Sequence, residues 1–347
     1  MRLPTLKTIY TSLDGVTSFG GLNLCDKTNE NQFGAMKNIS AERLPVICAR
    51  GRRALLRTLT KPNGLGALNA LYWADGTSFF YNGERVGTVE DSEKQFVNNG
   101  AYVLIFPDKK YYNTYTGEFG SLDARTVTSG AATAALCRAD GTVYGSYVTA
   151  AAAPEKPAAG DYWLDTSGEK AVLKQWIGTT SMWQSIATTY VKISASGIGA
   201  SFKQYDGVTI GGMADEALNG EFYLNAVSAD WIVVVAVIKQ PTTQTSAVTV
   251  ERKAPDMDYL CECNNRVWGC SSAKHEIYCC ALGDPWNWNQ FMGLATDSYA
   301  LNDGSAGAFT GAVAQQGNVF FFKENAILQM MGTKPANFTL DTMVCRG

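Results

Sequence analysis

The stretch NNRVWGCSSAKHEIYCCALG, residues 264–283, decides the fold because its pattern occurs three times in the chain. Similar stretches are NNGAYVLIFPDKKYYNTYTG at residues 98–117 and QQGNVFFFKENAILQMMGTK at residues 315–334. Each begins with two amide side chains, continues through an apolar run, a polar segment with a lysine and a second apolar run, and then reaches a glycine. Short apolar runs between turn-forming residues are typical of hairpin strands. The sequence therefore predicts a repeated β-hairpin.

The spacing of the copies indicates the kind of β architecture. The second and third copies start 51 residues apart, at Asn264 and Gln315. A four-stranded propeller blade takes roughly 40–50 residues, so this spacing favours a β-propeller over a sandwich. Asp75-Gly76 and Asn82-Gly83 also separate aromatic runs as hairpin turns do. We expect a mainly β protein with a β-propeller-like scaffold, incomplete in this chain, and an inserted small β module.

An interruption separates the first and second copies, which start 166 residues apart. It contains VTAAAAPEKPAAGDY at residues 148–162, a composition typical of a linker. One blade accounts for part of the gap, which leaves roughly 115 residues for an insertion. We therefore predict an N-terminal arm with the first strands at 1–64, propeller blades at 65–150, an inserted small β module at 151–255, and propeller blades at 256–347.

The number of hairpins bears on whether the propeller closes. Patterns typical of hairpins lie at 68–87, 96–118, 134–149, 258–280 and 312–345. These are fewer than a closed ring of four-stranded blades needs. We expect the ring to be closed either by a partner or, as we favour, by further residues of a longer protein.

Apolar alternation predicts further elements inside these segments. In the insertion we expect strands at 190–194, 207–210, 221–227, 231–238 and 247–251. In the N-terminal arm, which is rich in polar residues and glycine, we expect one short helical piece around 31–37.

Four aromatic residues of the insertion are candidates for carbohydrate binding. Tyr162, Trp163, Trp176 and Trp183 lie within 22 residues of one another. Exposed tryptophan rings bind sugars by stacking on the pyranose face, whereas buried ones supply apolar area to a core. A module this small needs large aromatic residues to fold. The core interpretation is therefore favoured, and a glycan site at these residues is the alternative.

Residues 261–280, which overlap the repeat that opens this section, hold five of the nine cysteines and the single histidine. Cys261, Cys263, Cys270 and His275 are the residues that a metal site here would use. However, structural zinc sites usually take two knuckles with two to four residues between ligands, and the one residue between Cys261 and Cys263 is too few. We expect these cysteines to be small buried strand residues, His275 to be exposed at a turn, and the protein to have no cofactor.

Composition and motifs exclude several functions. The net charge of −3 argues against a general grip on nucleic acid, although DNA can pass a repulsive wall without binding to it. The longest apolar run, WIVVVAVI at 231–238, is too short for a membrane span, and the N-terminus has no signal-peptide pattern. Carboxylates mostly lie beside Gly or Pro at turns, and no nucleophile or nucleotide motif is present. We expect no catalytic residues.

Two parts of the chain resemble structural proteins of tailed bacteriophages and prophages that have a propeller core. One is FGGLNLCDKTNENQFGAMKNISAERLPVICARGRR at 19–53, with a Gly-Leu-Asn stretch, a polar segment, Asn38 and a Pro/Arg-rich end. The other comprises LGDPWNWNQF at 282–291 and DGSAGAFTGAVAQQGNVFFFKENAILQMMGTKPANFTL at 303–340. The resemblance extends over residues 10–60 and 255–347. The phage proteins that the chain resembles are similar to the nozzle and hub proteins of short-tailed phages.

This resemblance implies a structural component of the virion tail, made in the cytoplasm of a bacterial host. Its partners would be further copies of itself and other phage tail proteins, with DNA passing nearby without specific binding. Two alternatives remain open. One is a tail protein that binds a host-surface glycan through Tyr162, Trp163, Trp176 and Trp183, and the other is a propeller glycoside hydrolase.

Overall fold

The computed structural model describes residues 17–40 and 42–343, and the chain divides into two compact units, residues 1–59 and 60–347. The described part of the first unit has little regular structure. Strand β1 (Ile39–Ser40) pairs with β2 (Cys48–Ala49), and Leu22 forms a bridge with Phe33. The helix predicted around 31–37 is not formed, because these described residues make turns and bends. Asparagine and glycine, which are frequent here, favour turns over helices.

The second unit begins with two meanders, sheets in which consecutive antiparallel strands lie side by side. Meander 1 contains β3 (Pro62–Leu68), β4 (Ala70–Asp75), β5 (Ser78–Tyr81) and β6 (Glu84–Thr88). Meander 2 contains β7 (Gln95–Asn99), β8 (Tyr102–Phe106), β9 (Lys110–Asn113) and β10 (Phe119–Ser121). The predicted turn residues Gly76 and Gly83 have φ angles of 55° and 91°. Glycine adopts this left-handed conformation at little cost, so the hairpins form where the sequence places them.

The chain then forms three further sheets, which we call the inserted part. Its strands are β11 (Ala124–Val127), β12 (Ala132–Cys137), β13 (Val148–Ala150), β14 (Tyr162–Asp165), β15 (Val172–Ile177), β16 (Met182–Ser185), β17 (Tyr190–Ser194), β18 (Gly207–Gly211), β19 (Gly220–Tyr223), β20 (Ala226–Ser228), β21 (Trp231–Val235), β22 (Thr242–Gln244) and β23 (Thr249–Arg252). Their order is β11-β23-β18-β19 in one sheet, β20-β21-β17-β12-β22 in the second and β13-β14-β15-β16 in the third. A short 3-10 helix spans Glu216–Leu218. The sheets share one apolar core around Leu136, Val191 and Ile232.

The inserted part starts earlier than the sequence predicted. Residues 124–150 were expected to be propeller blade, with the insertion at 151–255. Instead β11 pairs with β23, and β12 pairs with β17 and β22. Strand pairing therefore places the start of the insertion near residue 124. The alternating pattern of β12 fits a blade strand and an insertion strand equally well, and only its distant partners distinguish the two.

Within the inserted part, the strands lie where the sequence predicted them, but several of their first and last residues differ from the predicted ones. The strand expected at 190–194 is β17, with the same bounds. The strand expected at 221–227 is divided into β19 and β20, because Leu224 and Asn225 leave the ladder. Leu224 is fully buried, and the Asn225 side chain donates to the Ala139 carbonyl. Tertiary contacts, rather than a turn motif, break this strand.

Two more meanders complete the described residues. Meander 3 contains β24 (Tyr259–Cys263), β25 (Arg266–Ser271), β26 (Glu276–Cys279) and β27 (Tyr299–Asn302). Meander 4 contains β28 (Phe309–Gln315), β29 (Asn318–Lys323), β30 (Ile327–Met331) and β31 (Thr339–Met343), with a 3-10 helix at Pro335–Asn337. The repeat recognised in the sequence thus supplies the central hairpins of meanders 2, 3 and 4.

Successive meanders pack face to face. One apolar cluster joins meanders 1 and 2, a second joins 2 and 3, and a third joins 3 and 4. Their first strands lie next to one another in the order β3, β7, β24, β28. The prediction of a mainly β protein is confirmed, while residues 17–40 and 42–343 contain no closed barrel or propeller. Nor does any helix in this part of the chain have the length and apolar character needed to cross a membrane.

A polar contact recurs at one end of every meander. It joins residues that precede the first strand to the last residue of the second strand or to the turn that follows it. The contacts are Asp75 with the amides of Thr60 and Lys61, Lys94 with Asp108, Asp258 with the Ser272 amide, and Asp303 with Lys323. Two of them are buried ion pairs, which are strongly destabilising when one partner is lost. The contact ties the start of the first strand to the far end of the second strand, so it holds these two strands of each meander in place.

The Asp303–Lys323 pair should make the protein less stable in acid. Burial opposes ionisation of Asp303, but hydrogen bonds from Lys323 and Ser305 outweigh it and hold the pKa of this carboxyl below its usual 3.8. Such a carboxyl stabilises the fold fully above its unfolded pKa and loses this contribution as pH falls through the lower folded value. Urea unfolding should therefore show the stability difference between wild type and Asp303→Asn narrowing below pH 3.8. A difference that stays constant there would contradict this role.

Candidate functional site

Three of the four predicted carbohydrate-binding residues meet on one sheet face. In the β13–β16 sheet, Trp163 is paired with Lys174 and Trp176 with Trp183. The ring centroids of Trp163 and Trp183 are 5.3 Å apart, and those of Trp176 and Trp183 are 5.4 Å apart. Leu164 and Leu173 point to the opposite face and join the core of the inserted part. Because side chains alternate along a strand, the three tryptophans form a separate outer face, which we call the tryptophan face.

Tyr162 does not belong to the tryptophan face. It packs against the core, with its ring centroid 4.7 Å from that of Tyr144. Its hydroxyl accepts a hydrogen bond of 3.1 Å from the Gln175 side chain. The predicted set of four is therefore divided into three residues on the outer face and one on the inner face. Period-two alternation between Tyr162 and Trp163 would have shown this division, had the strand been recognised.

A charged pair lies beside the tryptophan face. Lys174 Nζ is 2.8 Å from Asp165 Oδ2 and 4.8 Å from the centroid of the Trp163 ring. Hydrogen bonds from Lys174 and Ser167 lower the pKa of Asp165 to about 2. Trp163 is buried, whereas Trp176 and Trp183 are half-buried and keep ring surface available. Half-exposed rings next to a donor and an acceptor are able to stack on a sugar and hydrogen-bond its hydroxyls.

A cleft of about 510 Å³ lies where meander 2, the inserted part and the segment after β26 meet. Three aromatic rings wall it, with the Trp286 centroid 4.8 Å from that of Tyr102 and 5.0 Å from that of Tyr111. Both pairs are edge-to-face, the geometry that aromatic quadrupoles prefer. Trp288, two residues after Trp286, is instead buried in the cluster between meanders 2 and 3. Trp286 therefore contributes to a concave surface, while Trp288 anchors the segment that carries it.

The polar side of this cleft contains both donors and acceptors. Arg252 is ion-paired with the buried Asp206, and its Nε has no hydrogen-bond partner in the part of the chain that the structure describes. Burial, followed by the charge of Asp206, raises the pKa of Asp284. Burial and the hydrogen bond to Glu118 raise the pKa of Tyr111 to about 12. Such a mixture suits a polyhydroxylated ligand better than a strongly charged one. The sequence gives no signal for this cleft, since its walls come from three distant segments.

The predicted metal-binding set is not arranged as a set of ligands. Cys263 and Cys270 are buried and Cys261 partly buried in the cluster between meanders 3 and 4. His275 is exposed in the turn between β25 and β26, with a φ angle of 55°. Within residues 17–40 and 42–343, no group of three or more His, Cys, Asp or Glu side chains is placed to hold a metal ion. The cysteines of meander 3 fill apolar space between sheets.

The buried thiols should be unreactive in the folded protein. Burial raises the pKa of Cys270 and of Cys280 to about 12, and the thiolate is the form that reacts. In a Cys345→Ser background, N-ethylmaleimide should modify the exposed Cys25 at once, and Cys270 and Cys280 only after denaturation. Mass spectrometry of peptides would measure this. If Cys270 were labelled as fast as Cys25 in the native protein, the Cys270 thiol could not be buried as described.

Comparison with known proteins adds no identification. No protein-family model matches this sequence, and no curated protein matches it closely enough to indicate homology.

Proposed function

We propose that this chain is a structural protein of a phage tail, in which the meanders serve as blades of a propeller-like scaffold beside the tail channel. The observation that supports this most is the stacking of the four described meanders with their first strands side by side. In a propeller, radially repeated four-stranded sheets place equivalent strands next to one another around an axis. The resemblance of residues 10–60 and 255–347 to phage structural proteins points to the same role.

Several physical features suit a scaffold. Each pair of successive meanders encloses its own apolar cluster, so the stack is held together by side-chain packing along its whole length. Buried ion pairs fix the hairpins of meanders 2 and 4. The net charge of −3 is compatible with DNA passing close by without being retained.

Purified particles of the phage or prophage that encodes this chain provide the test. Mass spectrometry should find the chain in gradient-purified virions, in a fixed ratio to other tail proteins, and in the tail fraction after heads and tails are separated. A chain that is abundant in infected cells but missing from purified particles would exclude this function.

A second candidate function, binding of a host-surface glycan, is favoured by the placement of Trp163, Trp176 and Trp183 on one face. The cleft at Trp286 offers a competing position for the same ligand class. Fluorine NMR of fluorotryptophan-labelled protein, titrated with neutral disaccharides, would locate binding. Shifts confined to resonances lost in Trp183→Phe would place the site on the tryptophan face, and shifts lost in Trp286→Phe would place it in the cleft. No shift with any disaccharide would reject this function.

A further inference from the structure

The four meanders use equivalent positions to pack on one another, and strand register defines these positions. In meanders 1, 2 and 3 one residue pair of the first two strands faces the next meander, and meander 4 has a pair at the equivalent position. The equivalent pairs are Gly66 with Tyr72, Val97 with Leu104, Cys261 with Trp268, and Val313 with Phe320. We call the face that carries this pair the forward face, and the opposite one the rear face.

Three of the four forward faces are covered by the next meander. Tyr72 lies in the cluster between meanders 1 and 2, Leu104 in that between 2 and 3, and Trp268 in that between 3 and 4. Two residues further along the same strands, Ala74, Phe106 and Cys270 occupy the same clusters. A repeating series of apolar forward positions is therefore the surface that receives a neighbouring meander.

The forward face of meander 4 continues this series but remains open. Phe320 and Phe322 follow Trp268 and Cys270 in the series, and both are only half-buried. Val313 and Met343, on the same face, are 44% and 38% exposed. On the other side of the sheet, Phe321 and Leu328 are fully buried against meander 3. The row through Phe320 continues to the polar residues Gln329 and Asp341, so the apolar part of this face is the β28–β29 half together with Met343. Exposed apolar side chains grouped in this way are typical of a surface that packs against another protein element.

The rear face of meander 1 is the matching surface, and its residues Leu65 and Leu71 are exposed. At the rear positions of the later meanders, Phe96 packs against meander 1, Leu260 against meander 2 and Ala312 against meander 3. The equivalent residue of meander 1 is Leu65, which is 68% exposed. Leu71, equivalent to the buried Val103 of meander 2, is 42% exposed. Trp73, which pairs with Leu65 on this face, is 6% exposed and stacks on Phe80. Both halves of one further interface of the same type are thus present on this chain, and each has exposed apolar side chains.

We propose that the forward face of meander 4 binds the rear face of meander 1 of a second copy of this chain. The occupant is a second copy because the complement of a forward face is a rear face, and the rear face of meander 1 exposes Leu65 and Leu71. The contact is head-to-tail, so it generates a ring if the rotation closes and a filament if it does not. A second copy would be the partner through which the proposed scaffold assembles. The contact itself is argued from the exposed faces, and only its place in a phage tail rests on the proposed function.

Complementary variants test this interface in solution. Light scattering of the purified chain should show association that increases with protein concentration. Val313→Asp and Leu65→Asp each place a charge in one half of the contact, and each variant alone should be monomeric. Mixed in equal amounts they should form a dimer and nothing larger, because one variant keeps an intact rear face and the other an intact forward face. Val127→Asp, an exposed position of the inserted part, should associate like wild type.

Each other result would overturn the proposal. A wild-type chain that is monomeric at all concentrations would show that the two exposed faces do not bind a second copy. That result would leave the proposed function open, because mass spectrometry of purified particles tests it separately. Association of wild type that survives Leu65→Asp but not Val313→Asp would show a symmetric contact between two forward faces. Thermal unfolding of both variants would verify that they are folded.

Discussion

Asp108→Ala should destabilise the protein by about 3–5 kcal/mol, the cost of leaving a buried charge without its partner. Lys94 Nζ lies 2.5 Å from Asp108 Oδ1, and the two side chains are 0% and 1% exposed. Asp108 also accepts a hydrogen bond of 2.6 Å from the Glu90 amide. After the substitution, the ammonium group would retain its hydrogen bond to Ser92 and lose its counter-charge. Chemical denaturation of a monomeric background such as Val313→Asp would measure the loss.

Two controls separate burial from charge. Asp91→Asn removes the partner of Lys61 at an exposed ion pair, where water screens the charges, so its effect should be much smaller. The double change Lys94→Met with Asp108→Leu replaces the buried pair with apolar side chains and should recover most of the stability. If Asp108→Ala were as mild as Asp91→Asn, the Lys94–Asp108 pair could not be buried as described.

Removing residues 124–253 and joining Asp123 to Ala254 through a short Gly/Ser linker should leave four folded meanders. The Ala254 amide donates to Asp123 Oδ1 at 2.7 Å, so the two ends of the inserted part already lie together. Closing a short loop between neighbouring ends costs little conformational entropy. The cluster between meanders 2 and 3 keeps Leu122 and Trp288, which lie outside the deletion. Circular dichroism should show cooperative thermal unfolding of the shortened protein.

Deleting residues 156–254 instead should give a protein that aggregates. That deletion starts inside the linker-like segment 148–162, but it retains β11, β12 and β13 without their partners β23, β17 and β14. Unpaired strand edges favour association with other chains. Size-exclusion chromatography of the two deletions would compare them directly. Equal solubility and equal cooperativity would show that strand pairing does not define the inserted part.

Local features of this protein were readable from its sequence because they depend on neighbouring residues. Turn residues such as Asp75-Gly76 and alternating apolar runs such as 190–194 act within a few positions, so they predicted hairpins and strands correctly. The repeat at 264–283 identified the hairpins of three meanders for the same reason. Cys270 and Cys279 of that repeat are buried strand residues, as expected of small apolar side chains in an alternating strand.

Only the tertiary structure decided which strands pair across long distances and which faces remain open. The sequence of β12 is equally compatible with a propeller blade and with the inserted part. Its position is set by pairing with β17, more than fifty residues later in the chain. The cleft at Trp286 combines residues from three segments that no local pattern connects. Phe320 looks like any core residue in sequence, and its exposure follows from the absence of a described meander beyond β31. The reason is that a hydrogen-bonded strand or an apolar face accepts any suitable partner, so the choice is fixed only when all the elements pack together.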